Sequence, residues 1–353
     1  MITKNTTIAF QLTGTLLQDY DPYSLLFFDI ETTGFTAASS SLYLIGAVTK
    51  QGNDWILTQW FAESSQEEAE VLQAFLEFST HYKQLIHFNG DRFDLPYLAA
   101  KCAQYQLYNT LSSLISRDLY RLIRPLKSML SLSALNQRCL EEFLGIFRRD
   151  PYTGGELIQV YHTYEKSPNS SDLQKLLLHN HEDLLGMLDI LPILSYRIIL
   201  SGNFQITDYQ IEDSSLILQG RLPLYLPQVF SFRNQWLYLT GSQDRLAMEI
   251  FGIRDTLKYF FPDFKNYYYL PEEDIALHKS VAAYVDKAHR EPAKISTCYN
   301  KKNGFYVPQF EELHKPVFKT DYHDKQMYFA CNDKFLEDRE NLYQYACHLL
   351  AHL

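Results

Sequence analysis

The chain has 353 residues, of which 46% are hydrophobic and 21% are charged, and its formal net charge at pH 7 is −10. This length accommodates two domains or one large domain, and the composition suffices for a sizeable hydrophobic core. The negative charge argues against a protein that coats nucleic acid non-specifically, although a local basic groove is compatible with it.

Cysteine usage and hydropathy predict a cytoplasmic protein. The five cysteines are scattered and form no CxxC pair, which is typical of reduced and mostly buried thiols. The N-terminal stretch MITKNTTIAFQLTG lacks the basic region and the apolar run of a signal peptide. The sequence contains no run of about 18 apolar residues, so we expect no membrane-spanning helix.

The N-terminal half has the pattern of an α/β unit with a mixed sheet. LLFFDI is typical of a buried strand, and two further strand patterns follow after short connections, so the three predict an antiparallel meander. An amphipathic helix opened by Ser65, a short strand and a helix with Pro96 in its first turn come next. The predicted strands cover residues 25–30, 41–49, 54–63 and 84–88, and the second helix covers residues 93–105.

From residue 117 to residue 200 the sequence has a mainly helical pattern. One amphipathic segment covers residues 131–146, and a longer one covers residues 171–194. Either Ser171 or Asp172 would open the longer helix, since both are preferred N-cap residues.

The pattern changes near residue 204, where strand-like runs such as SSLILQGRL and NQWLYLTG begin to dominate. A helical pattern closes the chain at 337–353. We therefore predict two domains. Residues 1–204 form the α/β unit, and residues 205–353 form a smaller mixed α+β accessory domain of unknown function, which could grip a substrate or a partner.

Four carboxylates stand out by their context in the α/β unit. Asp29 and Glu31 lie two residues apart at a strand end, so both side chains leave the same face of that strand. Asp94 follows a later strand through a turn, and Asp183 interrupts a Leu-rich helix. Burying an unpaired carboxylate is unfavourable, and acids that converge at one sheet edge repel one another. Two Mg²⁺ or Mn²⁺ ions would neutralise them, because these hard cations prefer oxygen ligands.

Three motifs in this order resemble those of the DEDD superfamily of 3′–5′ exonucleases. FFDIETTG resembles the first motif, HFNGDRFDLPYL the second and HNHEDLLGM the third. Within this superfamily the chain is most similar to the predicted exonuclease domain RNase_H_2 of YprB-like proteins. The resemblance covers about residues 24–200, with supporting segments at 117–124, 131–150 and 153–165.

The resemblance implies an RNase H-like fold, in which helices flank a mixed sheet. It also implies that Asp29, Glu31, Asp94 and Asp183 are catalytic and hold two Mg²⁺ or Mn²⁺ ions. The implied reaction is the hydrolysis of phosphodiester bonds at the 3′ end of single-stranded DNA or RNA by a two-metal mechanism. The alternatives are an endonuclease of the same fold and a catalytically silent module that binds nucleic acid or protein.

One position departs from the family's pattern. The family has Tyr four residues before the last Asp, or His five residues before it, and here those positions hold His179 and Leu178. Because residues i and i+4 share a helix face, His179 is predicted to face the metals with Asp183 and to act as the catalytic base. The alternative is that His179 only caps or packs nearby. His181 is predicted to point elsewhere.

Two stretches, each with a surplus of four positive charges, are candidates for contact with a nucleic-acid strand. In the first, Arg117, Arg121 and Arg124 recur at helical spacing and predict one basic face. In the second, basic residues alternate with tyrosines, which would suit stacking on unpaired bases. Both stretches are equally compatible with an ordinary solvated surface. The first spans residues 117–149 and ends with Arg148 and Arg149, and the second spans residues 279–302 among Tyr284, Tyr299 and Tyr306.

Overall fold

The computed structural model describes residues 1–12, 20–148 and 150–353. The chain divides into two compact units, Met1–Arg197 and Ile198–Leu353. Across the described ranges, no helix has both the length and the apolar surface that a membrane span requires.

The first unit contains a mixed sheet with helices on both faces. Its described strands are β1 (Ile2–Ile8), β2 (Leu25–Thr32), β3 (Leu42–Gln51), β4 (Asp54–Phe61), β5 (Gln84–His87) and β6 (Ile115–Asp118). Its described helices are α1 (Glu68–Ser79), α2 (Asp94–Tyr105), α3 (Leu119–Ile123), α4 (Gln137–Phe143), α5 (Gly154–Lys166) and α6 (Ser170–Asp189). Helix α7 (Arg197–Leu200) begins at the last residue of the first unit, Arg197.

The strand order in this sheet is β1-β4-β3-β2-β5-β6. The first four strands in that order pair antiparallel, whereas β5 pairs parallel with both β2 and β6. The predicted antiparallel meander is confirmed as β2, β3 and β4. Because β2 and β5 run in the same direction, the residues that follow each of them lie at the same edge of the sheet.

Apolar layers attach helices to both faces of the sheet. Ile45 and Ala47 belong to the layer that includes α1, whereas Gly46 between them faces α6, as the alternation of a strand requires. On the α1 side the rings of Phe28 and Phe75 stack with centroids 5.5 Å apart. The predicted α/β class, a mixed sheet flanked by helices, is confirmed.

Neither of the outer strands, β1 and β6, was predicted. The β1 sequence ITKNTTI is mostly polar, and the strand pairs with β4. β6 has four residues and lies in a stretch that is predicted to be mainly helical. Edge strands are held by backbone hydrogen bonds to a neighbour and can carry polar side chains, so hydrophobic periodicity does not reveal them.

Helix starts also differ from the sequence prediction. α1 begins at Glu68, because Ser65 lies in a preceding 3₁₀ turn and its side chain does not cap the helix. α6 is capped by Asn169, two to three residues before the predicted cap. The predicted amphipathic segment 131–146 is helical only over Gln137–Phe143, since the residues before it form turns.

The second unit consists of antiparallel sheets and short helices. Its described strands are β7 (Gln205–Glu212), β8 (Ser215–Arg221), β9 (Phe230–Arg233), β10 (Leu237–Ser242), β11 (Arg245–Phe251), β12 (Ile253–Phe260), β13 (Tyr267–Leu270), β14 (Ile275–His278), β15 (Glu291–Pro292), β16 (Tyr299–Gln309) and β17 (Met327–Ala330). Its described helices are α8 (Lys279–Ala282), α9 (Asp333–Leu336) and α10 (Arg339–Leu350). The sheets have the orders β7-β8-β11-β10-β9, β12-β16-β17 and β14-β13-β15. This is the mixed α+β architecture predicted for the C-terminal part.

Candidate active site

Strand β2 carries Asp29 and Glu31 to the edge of the sheet. The four residues before Asp29 have no exposed surface, Glu31 is 8% exposed, and Asp29 is partly buried. Loss of hydration raises the pKa of both carboxyls well above their ordinary values, and the charge of Asp183 raises them further. Both acids therefore sit in an environment that disfavours their charged forms unless a cation is present.

Helix α6 approaches β2 closely because the neighbouring strand has no side chain at Gly46. Gly46 lies opposite Asp29 in the β2–β3 pair, and a Cβ at position 46 would lie 2.1 Å from Oδ1 of Asn180. This approach allows Asn180 Nδ2 to donate to Asp29 Oδ2 at 3.0 Å. Gln59 Nε2 donates to Asn180 Oδ1 at 3.0 Å and fixes the orientation of that amide. Asp183 lies three residues further along α6, on the same face of the helix.

Asp94 is the first residue of α2 and is 8% exposed. Burial raises its pKa to about 7, although hydrogen bonds from the backbone of Asp94 and Ile30 favour its charged form. The contact with the Ile30 backbone places Asp94 beside β2. Gly90 in the preceding turn permits this position, since a Cβ there would lie 3.1 Å from Asp94 Oδ2.

The structure brings the four predicted carboxylates together. Beyond the loss of hydration, the charges of Asp183 and Asp94 raise the pKa of both Asp29 and Glu31. Ligand atoms of Glu31, Asp183 and His179 lie within 4.8 Å of one another. The role of these side chains as metal ligands stays a prediction.

His179 faces the carboxylates from the helix turn before Asp183. Its Nε2 lies 3.4 Å from Asp183 Oδ2 and 3.8 Å from Glu31 Oε1. Its Nδ1 is hydrogen-bonded to Oδ2 of Asp150, a carboxylate whose side chain has no exposed surface. Because an ionised carboxylate can only accept, Nδ1 carries the ring proton and Nε2 is the nitrogen that faces the acids.

Arg148 is a largely buried cation at the same place, with a side chain that is 9% exposed. Its Nε and Nη2 each donate to the Glu141 carboxylate at 2.6 Å, and its Nη1 donates to Asp183 Oδ1. The assignment of Arg148 to an exposed basic stretch is therefore wrong. Arg148 neutralises Asp183 and competes with any other cation for that carboxylate.

The first predicted basic face does not form as expected. Arg117 lies in strand β6 and donates to Gln84, whereas Arg121 lies in helix α3 and pairs with Asp91 at 2.7 Å. A strand thus interrupts the helical spacing that predicts one basic face for these side chains. Arg149, at the end of this stretch, lies outside the described residues.

The tyrosines of the second basic stretch differ in exposure. Tyr299 is 5% exposed and Tyr306 has no exposed surface, so neither can stack on a base as predicted. Tyr284 is 93% exposed. Sequence spacing alone does not distinguish these positions. Tyr299 and Tyr306 are buried because both lie in strand β16, which packs inside the second unit.

The family model RNase_H_2, of the RNase_H superfamily, matches residues 26–194. The matched range contains the four carboxylates, His179 and every strand of the first sheet except β1 and the first residue of β2. Residues 26–194 are thus similar to the RNase H superfamily.

Two solved structures are similar to the chain that contains this RNase H-like unit. One is the family B DNA polymerase from the hyperthermophilic archaeon Pyrobaculum calidifontis, with 12% identity, coverage of 70% of this chain and 35% of the polymerase, and a TM-score of 0.39. The other is the zinc ion bound form of an E. coli ExoI–ssDNA complex, with 12% identity, coverage of 55% of this chain and 54% of ExoI, and a TM-score of 0.30. The similarity thus spans about a third of the first and about half of the second. Curated proteins give no match.

Three residues that contact the predicted site of the RNase H-like unit were not predicted. Asn180 has a detectable signal, because it lies in the HNHED motif three residues before Asp183 and so shares its helix face. Tyr43, which donates a hydrogen bond to Glu31, lies in a strand pattern without any polar signature. Asp150 lies in a connection between two helices, and no sequence pattern identifies it.

A second acid–histidine group in the RNase H-like unit is less suited to a metal. Ligand atoms of His87, Asp91 and Asp118 lie within 4.8 Å of one another. However, the Gly90 N–H donates to His87 Nδ1 at 3.0 Å, so the proton of the neutral ring is on Nε2, and burial lowers the pKa of this histidine. Nε2 then donates to Ser116 Oγ at 2.8 Å, which leaves the ring without a free lone pair.

The group formed by Asp29, Glu31, Asp94 and Asp183 suits a divalent cation because of the chemistry of its side chains. Its members offer carboxylate oxygens, which Mg²⁺ and Mn²⁺ prefer. The raised pKa values of Asp29 and Glu31 reflect the burial of both carboxyls and the neighbouring negative charges. Asp29, Glu31, Asp94 and Asp183 are the residues that would hold the ions.

We expect Asp94→Asn to stabilise the chelator-treated protein in a pH-dependent way. A carboxyl whose pKa is raised to about 7 on folding binds more protons in the folded state between the ordinary value of 3.8 and about 7. The free energy of unfolding of the wild type therefore falls as pH rises through this window, whereas asparagine has no such penalty. One pKa unit corresponds to about 1.4 kcal/mol, so the variant should melt several degrees above the wild type at pH 8 and equal it near pH 4.

Thermal unfolding in EDTA across this pH range tests the expectation. The matched control is Asp54→Asn, because the Asp54 side chain is exposed at a strand end. A difference between Asp94→Asn and the wild type that does not change with pH would contradict a buried Asp94 carboxyl whose pKa is raised on folding.

Proposed function

We propose that the chain is a metal-dependent nuclease, and specifically a 3′–5′ exonuclease that hydrolyses single-stranded DNA or RNA. The observation that supports this is the convergence of four acids from β2, α2 and α6 on one poorly hydrated place in an RNase H-like fold. Carboxylate groups of this kind suit two-metal phosphodiester hydrolysis.

The side chains have distinct roles in this proposal. When bound, the cations would supply Lewis-acid stabilisation of the charge on the phosphoryl oxygens. His179 Nε2 accepts a proton from the attacking water, and the water oxygen bonds to phosphorus. The bond from phosphorus to the 3′ oxygen of the preceding nucleotide breaks, and this oxygen takes a proton from solvent to become the new 3′ hydroxyl. Asp150 holds the proton on Nδ1 and stabilises the positively charged ring that results. The product is a 5′-mononucleotide.

Arg148 supports the alternative that the module is catalytically silent. Its guanidinium lies on Asp183 and supplies part of the positive charge that a metal would provide. For the nuclease to act, Arg148 must leave Asp183 when metal and substrate bind.

Digestion of end-labelled single strands separates these possibilities. The substrates are 5′-labelled and 3′-labelled DNA and RNA of one sequence and a circular single strand, with Mg²⁺, Mn²⁺ or EDTA. A 3′–5′ exonuclease releases the 3′ label at once as a mononucleotide, shortens the 5′-labelled strand stepwise and leaves the circle intact. Cleavage of the circle would indicate an endonuclease. No hydrolysis with either metal would indicate the silent module.

A further inference from the structure

The second unit contains a cavity of about 430 Å³ that the proposed reaction does not use. Its walls come from strands β12, β16 and β17, from helices α9 and α10, and from the segment at 314–318. This volume is in the range of small-molecule sites.

Three lysines from separate segments line the cavity: Lys302 on β16, Lys315 on the connecting segment and Lys334 on α9. No acidic side chain is among the described residues that line it. Lys315 pairs with Glu312 at 3.3 Å, but both side chains are exposed, so this pair is weak. In the described part of the chain, neither Lys302 nor Lys334 forms an ion pair. On a chain with a net charge of −10, such a local excess of positive charge favours an anion.

Aromatic rings form another part of the wall. Tyr259 is partly exposed, and its ring packs edge-on against buried Phe318 with centroids 5.4 Å apart. The His314 ring lies 4.4 Å from the Phe329 ring. The Tyr259 ring also packs edge-on against Phe261 with centroids 5.4 Å apart, and as a lining residue it can offer its ring to a flat group in the cavity.

His314 has an unused polar atom at the cavity. Its backbone is fixed because buried Gln309 both donates to the His314 carbonyl at 3.1 Å and accepts from its N–H at 2.9 Å. Among the described residues, its buried Nε2 has no hydrogen-bond partner. The amide of Asn341, which also lines the cavity, offers a donor and an acceptor.

We propose that this cavity binds a nucleotide, with the lysines on the phosphate and Tyr259 stacked on the base. Lysine side chains neutralise phosphates, and aromatic rings stack on bases of any sequence. His314 Nε2 and Asn341 supply polar contacts to the base or sugar. The ligand is either a free nucleoside monophosphate or one unit of a single strand, and the site does not depend on hydrolysis in the first unit.

The test measures binding to full-length Asp29→Asn protein in EDTA, so that no substrate is consumed. The probes are a fluorescent adenosine monophosphate and a fluorescein-labelled twelve-residue oligothymidylate, with inorganic phosphate as competitor.

Lys302→Glu and Lys334→Glu should each weaken binding by about tenfold or more, which corresponds to about 1.4 kcal/mol. The control Lys265→Glu makes the same charge change at an exposed lysine that does not line the cavity, and it should change binding less than about twofold. Tyr259→Leu should weaken the binding of whichever probe occupies the cavity about tenfold, without changing competition by phosphate.

The outcomes are distinct. If the monophosphate probe responds to the cavity variants, the ligand is a free nucleotide; if only the oligothymidylate responds, the ligand is a unit of a strand. Equal effects of Lys265→Glu and Lys302→Glu would overturn the proposal. So would an unchanged affinity in Tyr259→Leu, which would reduce the site to an anion site. Lys302→Met repeats the test without charge reversal if Lys302→Glu fails to fold.

Discussion

Asp29→Asn and Asp183→Asn are each expected to lower the rate of phosphodiester hydrolysis by about 10³-fold or more, since a lost ligand removes several kcal/mol of charge stabilisation. Asparagine keeps the size of the side chain and removes its charge. Because the carboxylates repel one another, Asp29→Asn should melt at a higher temperature than the wild type when metal is chelated. Asp183→Asn should not show this gain, because it also removes the partner of the largely buried Arg148 guanidinium.

Initial rates of mononucleotide release at saturating Mn²⁺ measure this effect. Asp172→Asn is the matched control, because Asp172 lies in the first turn of the same helix, about 16 Å along its axis from Asp183, and pairs with Lys175. Wild-type activity in a purified and verified Asp29→Asn protein would exclude Asp29 from the reaction.

His179→Ala is expected to lower kcat by about 10²–10⁴-fold, because a positioned base contributes a factor of that order. Asp150→Asn should lower kcat less and leave KM unchanged, since Asp150 acts on the ring and not on the substrate. His181→Ala should have little effect, because no contact joins His181 to the acids in the described residues. His179→Tyr should retain substantial activity, as the family's pattern has Tyr at this position.

Steady-state kinetics of these four variants on one labelled substrate provide the measurement. Equal losses in His179→Ala and His181→Ala would show that the histidines contribute only to the packing of α6. A rise in KM with unchanged kcat in His179→Ala would assign His179 to substrate binding instead of proton transfer.

The acids could be predicted because each belongs to a contiguous motif at a strand end or on one helix face. Asp29 follows an apolar strand directly, and the helical repeat relates His179 to Asp183. Asp150 and Arg148 could not be predicted in this way, since they reach the site from a connection between α4 and α5 that has no periodicity. Their positions depend on long-range contacts with His179 and Asp183 that exist only in the folded chain.

In the fold, too, elements with a local sequence pattern could be predicted and elements that depend on long-range pairing could not. Strands β2, β3 and β4 are apolar and buried, so their pattern is visible in the sequence, whereas β1 is held mainly by its pairing with β4. In the second unit the cavity is assembled from separate strands, helices and a connecting segment. No local stretch of sequence contains both Tyr259 and Lys334, so no motif could indicate the site.

Anomalous scattering from crystals soaked with Mn²⁺ is the most direct test of the central claim, that the four acids form one cation site. The expected result is a peak about 2.0–2.6 Å from oxygens of Asp29, Glu31, Asp94 and Asp183, with the Arg148 guanidinium displaced from Asp183. No peak at these oxygens at saturating Mn²⁺, with Arg148 still bound to Asp183, would contradict it.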